Sequence, residues 1–298
     1  MSQNTEPKKY KRRFGDRKDG RRLRTLPPMQ RVMPYIMKRR SDAQNTFADN
    51  FDITEADKMV RAKVKEGMTN FSLLHIILAA YVRMISQRPG VNRFINGQKI
   101  YARNNIEIVM AVKKEMSLEG RDTMIKVVFP PNATVDEVYE IFNRTVEEAA
   151  KVDGETFFDT VAKILISFPG IILRFIVWAL FALDYMGWLP RVLTNVSPFH
   201  GSMIITSMGS LGIKPIYHHI YDFGNLPVFL SYGTKYTVNT IDREGKVNRR
   251  RFVDIKAVTD ERICDGYYYA SALKMLKRYI QAPEVLNERP EQVLEDVE

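Results

Sequence analysis

Two groups of residues in the sequence have side chains suited to acid–base chemistry. Glu261 and Asp265 lie four positions apart near the carboxyl end, with the single cysteine of the chain, Cys264, between them. The second group is the adjacent pair His218 and His219. A positioned carboxylate or imidazole can remove the proton of a thiol or hydroxyl nucleophile, so these residues are candidates for a general base. No flanking feature lowers the pKa of Cys264, which is expected to be a small buried residue.

Hydroxyl side chains at the end of a predicted strand, residues 202–207, could complete such a site. A preorganised donor to the oxyanion of a tetrahedral intermediate contributes about 3–4 kcal/mol to catalysis. Thr206, Ser207 and Ser210 have the required hydroxyl group. The alternative for all three is an ordinary role in a strand or turn.

The segment 259–270 is similar to two known signatures. One is the Asp-His-Arg-x-x-x-Asp-Gly signature of the acyltransferase components of 2-oxoacid dehydrogenase complexes. The other is the His-x-x-x-Asp-Gly signature of chloramphenicol acetyltransferases. Asp260, Arg262, Asp265 and Gly266 match the first pattern. Further similarities lie upstream in the same order, at residues 51–54, 70–80, 88–89, 92–94 and 206–212. The resemblance therefore covers roughly residues 28 to 281.

This resemblance implies a fold, an assembly and an activity. The fold is a two-layer α/β sandwich with a mixed, largely antiparallel sheet. Proteins of the superfamily that this sequence resembles form homotrimers. Their active site lies between neighbouring subunits, and coenzyme A and the acyl partner enter it from opposite sides. We therefore expect a stand-alone acyltransferase-like protein that transfers an acyl group between a coenzyme A thioester and an acceptor.

The resemblance also implies roles for individual residues. In such enzymes a histidine removes the proton of the nucleophile and a serine hydroxyl donates to the oxyanion. Alignment with the chloramphenicol acetyltransferases favours Ser207 for the oxyanion role. Alignment with the acyltransferases of dehydrogenase complexes places Thr206 or Ser210 there. Asp265 would form an ion pair that fixes the turn of the active site.

Glu261 occupies the position of that histidine. An ordinary glutamate has a pKa near 4.3, so it leaves the proton on a thiol of pKa about 8.5 unless burial raises the pKa of the carboxyl group. Three interpretations follow: Glu261 is a base tuned for other chemistry, His218 or His219 supplies the base, or catalysis has been lost and the fold serves as a scaffold or binding module. Adjacent residues of an extended segment point to opposite sides, so at most one of the two histidines could face the site. A surface or loop role is the alternative for both.

Hydrophobic periodicity and turn residues predict the elements that position these groups. The expected helices begin at Thr54, span 70–88, run from Thr134 to about Lys151, and span 267–280. The expected strands are 106–112, 124–129, 202–207, 228–241 and 248–258, with a turn at 242–245 between the last two. His75 lies beside the apolar face of the second helix and is expected to be a core histidine whose hydrogen bonds are satisfied.

Composition and charge exclude several classes of protein. Hydrophobic residues make up 45% of the chain and charged residues 27%, which excludes a fully disordered, collagenous or disulfide-stapled protein. A single cysteine cannot form an internal disulfide, and no apolar stretch follows the amino-terminal charges. Both features predict a cytoplasmic protein. No metal site is expected.

The charge of +10 is concentrated at the amino terminus. Residues 1–27 are expected to form a basic, disordered arm, residues 28–281 the acyltransferase-like domain, and residues 282–298 an acidic tail. The short arm leaves no room for a lipoyl-bearing module, so we do not expect a standard dehydrogenase-complex subunit. Nucleic acid is the least favoured partner, because aromatic residues are sparse among the basic ones.

An apolar run from Ile164 to Leu183 is twenty residues long, close to the length that crosses a bilayer. Arg174 and the pair Pro169 and Gly170 argue against a span and predict two shorter helices. We expect these helices to be buried or to face another subunit. The alternative is peripheral contact with a membrane, through Trp178 near the lipid interface and attraction of the basic arm to anionic lipid.

Overall fold

The structure is a computed structural model that describes residues 12–113, 122–151 and 157–298. Its helices are α1 (Pro28–Ile36), α2 (Thr54–Lys65), α3 (Leu73–Gln87), α4 (Val135–Lys151), α5 (Phe157–Ile166), α6 (Gly170–Met186), α7 (Arg191–Val196) and α8 (Gly266–Gln281). Its strands are β1 (Gly20–Arg22), β2 (Gln44–Asp52), β3 (Arg93–Asn96), β4 (Lys99–Arg103), β5 (Ile106–Lys113), β6 (Asp122–Phe129), β7 (Met203–Ser207), β8 (Val228–Ile241) and β9 (Val247–Asp260).

Six strands form the main sheet in the order β2-β9-β8-β7-β5-β6. Strand β7 is parallel to both of its neighbours, and the other pairs are antiparallel. The expected mixed, largely antiparallel sheet is therefore confirmed. Three further strands form a small sheet in the order β1-β4-β3.

The main core lies between one face of this sheet and the helices α2, α3, α4 and α8. Alternation along β7 shows the two faces: Ile205 belongs to the main core, and Ile204 to a small cluster on the outer face. That outer cluster also contains Phe229 of β8 and Ile220 from the loop before it. The molecule is thus a two-layer sandwich with a partly covered outer sheet face.

Local sequence signals account for the helix starts. Thr134 and Glu137 form the expected capping box, in which the Thr134 N–H donates to Glu137 Oε2 at 2.9 Å and the Glu137 N–H to Thr134 Oγ1 at 3.3 Å. Helix α3 begins similarly, because the Ser72 N–H donates to Nδ1 of His75 at 3.0 Å. His75 is 2% exposed and lies among aromatic rings, so its expected place in the core is confirmed. Its Nε2 is buried without a hydrogen-bond partner among the described residues, so the expectation that its hydrogen bonds are satisfied is not met.

The amino-terminal segment differs from the expected free arm from residue 12 onward. Strand β1 pairs with β4, and Leu23 and Leu26 are buried in the main core. Arg17 also contacts the body of the domain, since its Nη1 donates to the carbonyl oxygen of Asp184 at 2.9 Å. Composition missed this packing because a few apolar residues among many charges are enough to anchor a short strand. Residues 1–11 lie outside the described part of the chain.

The acidic carboxyl-terminal segment packs back on the domain. Leu286 is 1% exposed and belongs to the main core. The carboxylate of Asp296 accepts two hydrogen bonds from the guanidinium of Arg93, at 2.6 and 2.5 Å. The carbonyl oxygen of Glu298 accepts the N–H of Thr25 at 2.8 Å. The two terminal segments therefore contact each other.

The apolar run folds into two helices, as the Pro169 and Gly170 pair predicted, with residues 167–169 between α5 and α6. These helices are not buried within the chain: Ile171 is 85% exposed and Trp178 is 64% exposed. Among the described residues, no helix combines the length and apolar character needed to cross a bilayer.

Candidate functional site

The turn between β9 and α8 is built on a buried carboxylate. Oδ2 of Asp260 lies 2.7 Å from Nη2 of Arg262 and 3.4 Å from Nε of Arg40, and all three side chains are almost completely buried. Burial lowers the pKa of Arg40, and the charge of Asp260 partly offsets this effect. The cluster fixes the backbone next to Glu261.

Glu261 is held through its main chain, while its side chain is exposed. Its N–H donates to the carbonyl oxygen of Ala43 at 2.9 Å. The carboxyl group is therefore open to solvent within the described chain.

Asp265 has a different role from the expected ion pair. Its side chain accepts the N–H of Tyr268 at 2.8 Å and caps the first turn of α8. The ion pairs of this turn involve Asp260 instead. Cys264 is 4% exposed, and burial raises the pKa of its thiol well above the usual value. This agrees with a buried structural residue.

The candidate hydroxyl groups lie on different faces of the sheet. Ser207 shares the core face with Ile205 and forms a hydrogen bond with the Tyr232 side chain, across from it on β8. Thr206 points to the outer face by strand alternation. Ser210 is exposed, and its Oγ donates to the carbonyl oxygen of Ser207 at 2.7 Å.

The two histidines lie on the outer face, in the loop before β8. The ring of His218 stacks on Phe229 with a centroid distance of 4.3 Å and an interplanar angle of 8°. Burial lowers the pKa of His218, and the neighbouring His219 lowers it further. His219 is exposed, with its ring edge against Tyr221. The ring of His218 thus lies on the same face as Thr206, in an environment that lowers its pKa.

The register of the strands separates Glu261 from the hydroxyl groups. Ser207 pairs with Tyr232, Tyr232 pairs with Ile255, and Glu261 follows Ile255 by six positions. At about 3.3 Å per residue and 4.8 Å per strand, this places Glu261 about 20 Å from Ser207. Thr206 lies at a similar distance from Glu261. The described chain therefore does not by itself bring the expected base and oxyanion donor together.

A cavity of about 420 Å³ is lined in part by Arg262. Its charged lining consists of Lys38, Arg39, Arg40, Arg262, Asp184 and Asp222. Arg40 and Arg262 pair with Asp260, whereas Lys38 and Arg39 form no ion pair among the described residues. These two side chains can attract a phosphate or carboxylate group. The described ranges contain no cluster of His, Cys, Asp and Glu suited to a metal ion.

Sequence reasoning missed two contributors to this region. Arg40 pairs with Asp260, which lies 220 positions later, and nothing in its local sequence indicates that contact. Asp296 stabilises Arg93, whose Nη1 also donates to the carbonyl oxygen of Ile263 at 3.1 Å. Both arginines lie in segments with many other basic or polar residues. Only the fold therefore shows that Arg40 and Arg93 form buried ion pairs.

The chain shares the fold of the catalytic domains of 2-oxoacid dehydrogenase acyltransferases and of chloramphenicol acetyltransferase. A probable dihydrolipoamide acetyltransferase from Listeria monocytogenes 4b F2365 matches 87% of this chain and 95% of its own, with 16% identity and a TM-score of 0.55. The cubic core of a pyruvate dehydrogenase multienzyme complex matches 89% and 93%, with 12% identity and a TM-score of 0.54.

A chloramphenicol acetyltransferase matches 87% of this chain and 99% of its own, with 13% identity and a TM-score of 0.51. No protein-family model matches the sequence, and no curated protein sequence is significantly similar to it. At these identities the comparisons show the fold alone. They confirm the resemblance on which the sequence analysis relied.

Proposed function

We propose that this chain forms a homotrimer that transfers an acyl group between a coenzyme A thioester and an acceptor nucleophile. The observation that carries this proposal is the distance of about 20 Å between Glu261 and Ser207 within one subunit, inferred from strand register. A functional site that uses both residues needs a second subunit. The shared fold with acyltransferase cores supports the same conclusion.

The proposed chemistry has three steps. A base takes the proton of the acceptor thiol or hydroxyl as that atom attacks the thioester carbonyl. The hydroxyl of Thr206 or Ser207 donates to the oxyanion of the tetrahedral intermediate. The intermediate then expels the thiolate of coenzyme A, and the protonated base returns the proton to its sulfur. The cationic cavity beside Arg262 supports the binding of a phosphate-bearing substrate.

The base is proposed to be Glu261, buried by the neighbouring subunit. Because burial disfavours a charged carboxylate, it would bring a glutamate closer to the pKa of a thiol. His218 is the alternative base, because burial lowers its pKa and its ring lies on the same face as Thr206. The substitutions Glu261→Gln and His218→Gln distinguish the two bases, because each removes one basic group and keeps its approximate size.

A second candidate function is that of an inactive scaffold or binding module. The exposure of Glu261 in one subunit and the lack of histidine at this position favour it. In either case we propose a cytoplasmic location, on the ground of a single buried cysteine.

The deciding experiment combines calorimetry with coenzyme A and acetyl-coenzyme A and a thiol-release assay. Binding and turnover that Glu261→Gln abolishes would support the enzyme. Binding without turnover in the native sequence, with activity appearing only in Glu261→His, would support the scaffold. The absence of coenzyme A binding would exclude the transferase proposal.

A further inference from the structure

Helices α5 and α6 expose an unusual amount of apolar surface, which we call the apolar helix pair (residues 157–186). Ile166 is 78% exposed, Ile171 85% and Phe175 65%. The exposed apolar surface continues beyond α6 through Trp188 at 67% and Val192 at 63%. A cluster of exposed apolar side chains of this kind marks a site of contact with another molecule or with a membrane.

The last turns of α6 attach it to the domain. The ring of Phe181 contacts Phe223 with a centroid distance of 5.0 Å, and Asp184 pairs with Arg17 and His200. Towards its amino end the helix is exposed on most of its circumference. At 100° per residue, its exposed positions from 171 to 186 cover an arc of about 220°.

The width of this arc favours lipid, rather than one neighbouring helix, as the occupant of the surface. A helix that packs on a protein surface buries an apolar stripe of about 100°. The exposed apolar side chains of α6, from Val177 around to Ile172, span an arc about twice as wide, and Arg174 lies within it. Lipid, in contrast, surrounds an immersed helix on all the sides that enter the bilayer.

The exposed charge on α6 complements an anionic membrane. The charged residues of the apolar helix pair are Asp159, Lys163, Arg174 and Asp184, and Arg174 is exposed among the apolar side chains of α6. The buried Asp184 is paired with Arg17, so its charge is not presented to a partner. The basic amino-terminal segment also approaches this region, because the carbonyl oxygen of Lys18 accepts from Nη2 of Arg191 at 3.3 Å.

The length of α6 and its exposed tryptophans favour a helix that lies in the interface of a membrane rather than across the bilayer. Helix α6 has 17 residues, which corresponds to a length of about 25 Å, and no described helix is suited to span a bilayer. Trp178 and Trp188 are 64% and 67% exposed. Tryptophan is the side chain that most favours the boundary between headgroups and acyl chains.

We propose that the apolar helix pair docks on an anionic phospholipid bilayer and lies in its interface, with the basic amino-terminal segment adding electrostatic attraction. The inference does not depend on whether the chain is an enzyme or a scaffold. The rival occupant is a second copy of this chain.

The two tryptophans allow a direct test, because the chain has no others. Full-length protein is mixed with vesicles of phosphatidylcholine alone, or with phosphatidylserine added, and tryptophan emission and co-sedimentation are recorded. We expect a blue shift, quenching by brominated acyl chains and pelleting with the anionic vesicles, all reduced by salt. Emission that stays unquenched, with no pelleting, would overturn the proposal.

Two pairs of substitutions separate lipid from a second copy. Ile171→Glu with Phe175→Glu should weaken vesicle binding at least about tenfold, because it places charge where apolar area is buried. The matched control is Ile241→Glu with Val247→Glu, at equally exposed apolar positions on the β8–β9 hairpin (73% and 61%), and it should bind as the native sequence does. Sedimentation velocity accompanies both. If the helix substitutions dissociate the oligomer and the native protein does not bind vesicles, the occupant is a second copy of this chain and the membrane proposal fails.

Discussion

Nη2 of Arg262 lies 2.7 Å from Oδ2 of Asp260, and both side chains are almost completely excluded from water. The pair is two residues apart in sequence, so it closes the turn that follows β9. Because Asp260 also faces Arg40 across the domain, the same carboxylate joins this turn to the segment before β2. The position of Glu261 thus depends on a buried carboxylate that takes no part in the proposed chemistry.

Asp260→Asn should therefore destabilise the protein strongly. Removing one partner of a buried ion pair leaves uncompensated charge, at a cost of about 3–5 kcal/mol. The measurement is the free energy of unfolding in denaturant. Asp49→Asn is the matched control, since its pair with Lys277 is about one-third exposed and should contribute about 0–1 kcal/mol. Equal losses for the two substitutions would show that burial does not set the contribution of Asp260.

Much of the fold could be predicted from local sequence. The spans of β8 and α8, and the capping box at Thr134, follow from periodicity and turn residues that act over a few positions. The motif around Asp265 predicted both a turn and a helix start. Each of these patterns involves residues that lie a few positions apart in the sequence. The structure confirms the elements that they predict.

Long-range contacts could not be predicted in this way. Nothing near Arg40 indicates its pairing with Asp260, and charge composition predicted a free arm where β1 pairs with β4. Hydrophobicity predicted the two helices at 164–183 but not their exposure. The placement of Ser207 and Thr206 on opposite faces follows from strand alternation, whereas the choice between them as the proposed oxyanion donor depends on the proposed subunit assembly, which local sequence does not indicate.

Asp296→Asn should release the carboxyl-terminal segment. Burial opposes the charge of Arg93, but the hydrogen bonds and charge of Asp296 raise its pKa above the usual value. Loss of this buried pair should cost about 3 kcal/mol of stability and increase hydrogen exchange in residues 289–298. Glu295→Gln changes an exposed neighbour and should alter stability by less than about 0.5 kcal/mol. Unchanged exchange in Asp296→Asn would mean that other contacts hold the segment.

His75 should make stability depend on pH. Burial lowers the pKa of His75 to about 4, although the neighbouring side chain of Asn143 and the N–H of Ser72 act in the opposite direction. An unfolded histidine has a pKa near 6.5, so between these values the unfolded state binds the extra proton. Stability is complete above pH 6.5 and should fall by up to about 3 kcal/mol as the pH decreases to about 4.

The test compares urea unfolding of the native sequence and His75→Gln between pH 4 and 7.5. Glutamine retains an acceptor for the Ser72 N–H and does not titrate, so the decline over this range should become smaller. His219→Gln removes an exposed histidine and should change the pH profile much less than His75→Gln, through its effect on the pKa of His218. A profile that is identical in His75→Gln would assign the pH dependence to other groups.

Complementation between inactive variants should show whether the site lies between subunits. Glu261→Gln lacks the proposed base, and the double substitution Thr206→Ala with Ser207→Ala lacks the candidate oxyanion donors. When the two are unfolded and refolded together in equal amounts, an intersubunit site receives both intact groups at about one interface in four, so thiol release should recover to about a quarter of the native rate. Mixing without refolding is the control and should restore nothing. A site contained within one subunit predicts no recovery in either mixture, because no subunit then has both the base and the hydroxyl group.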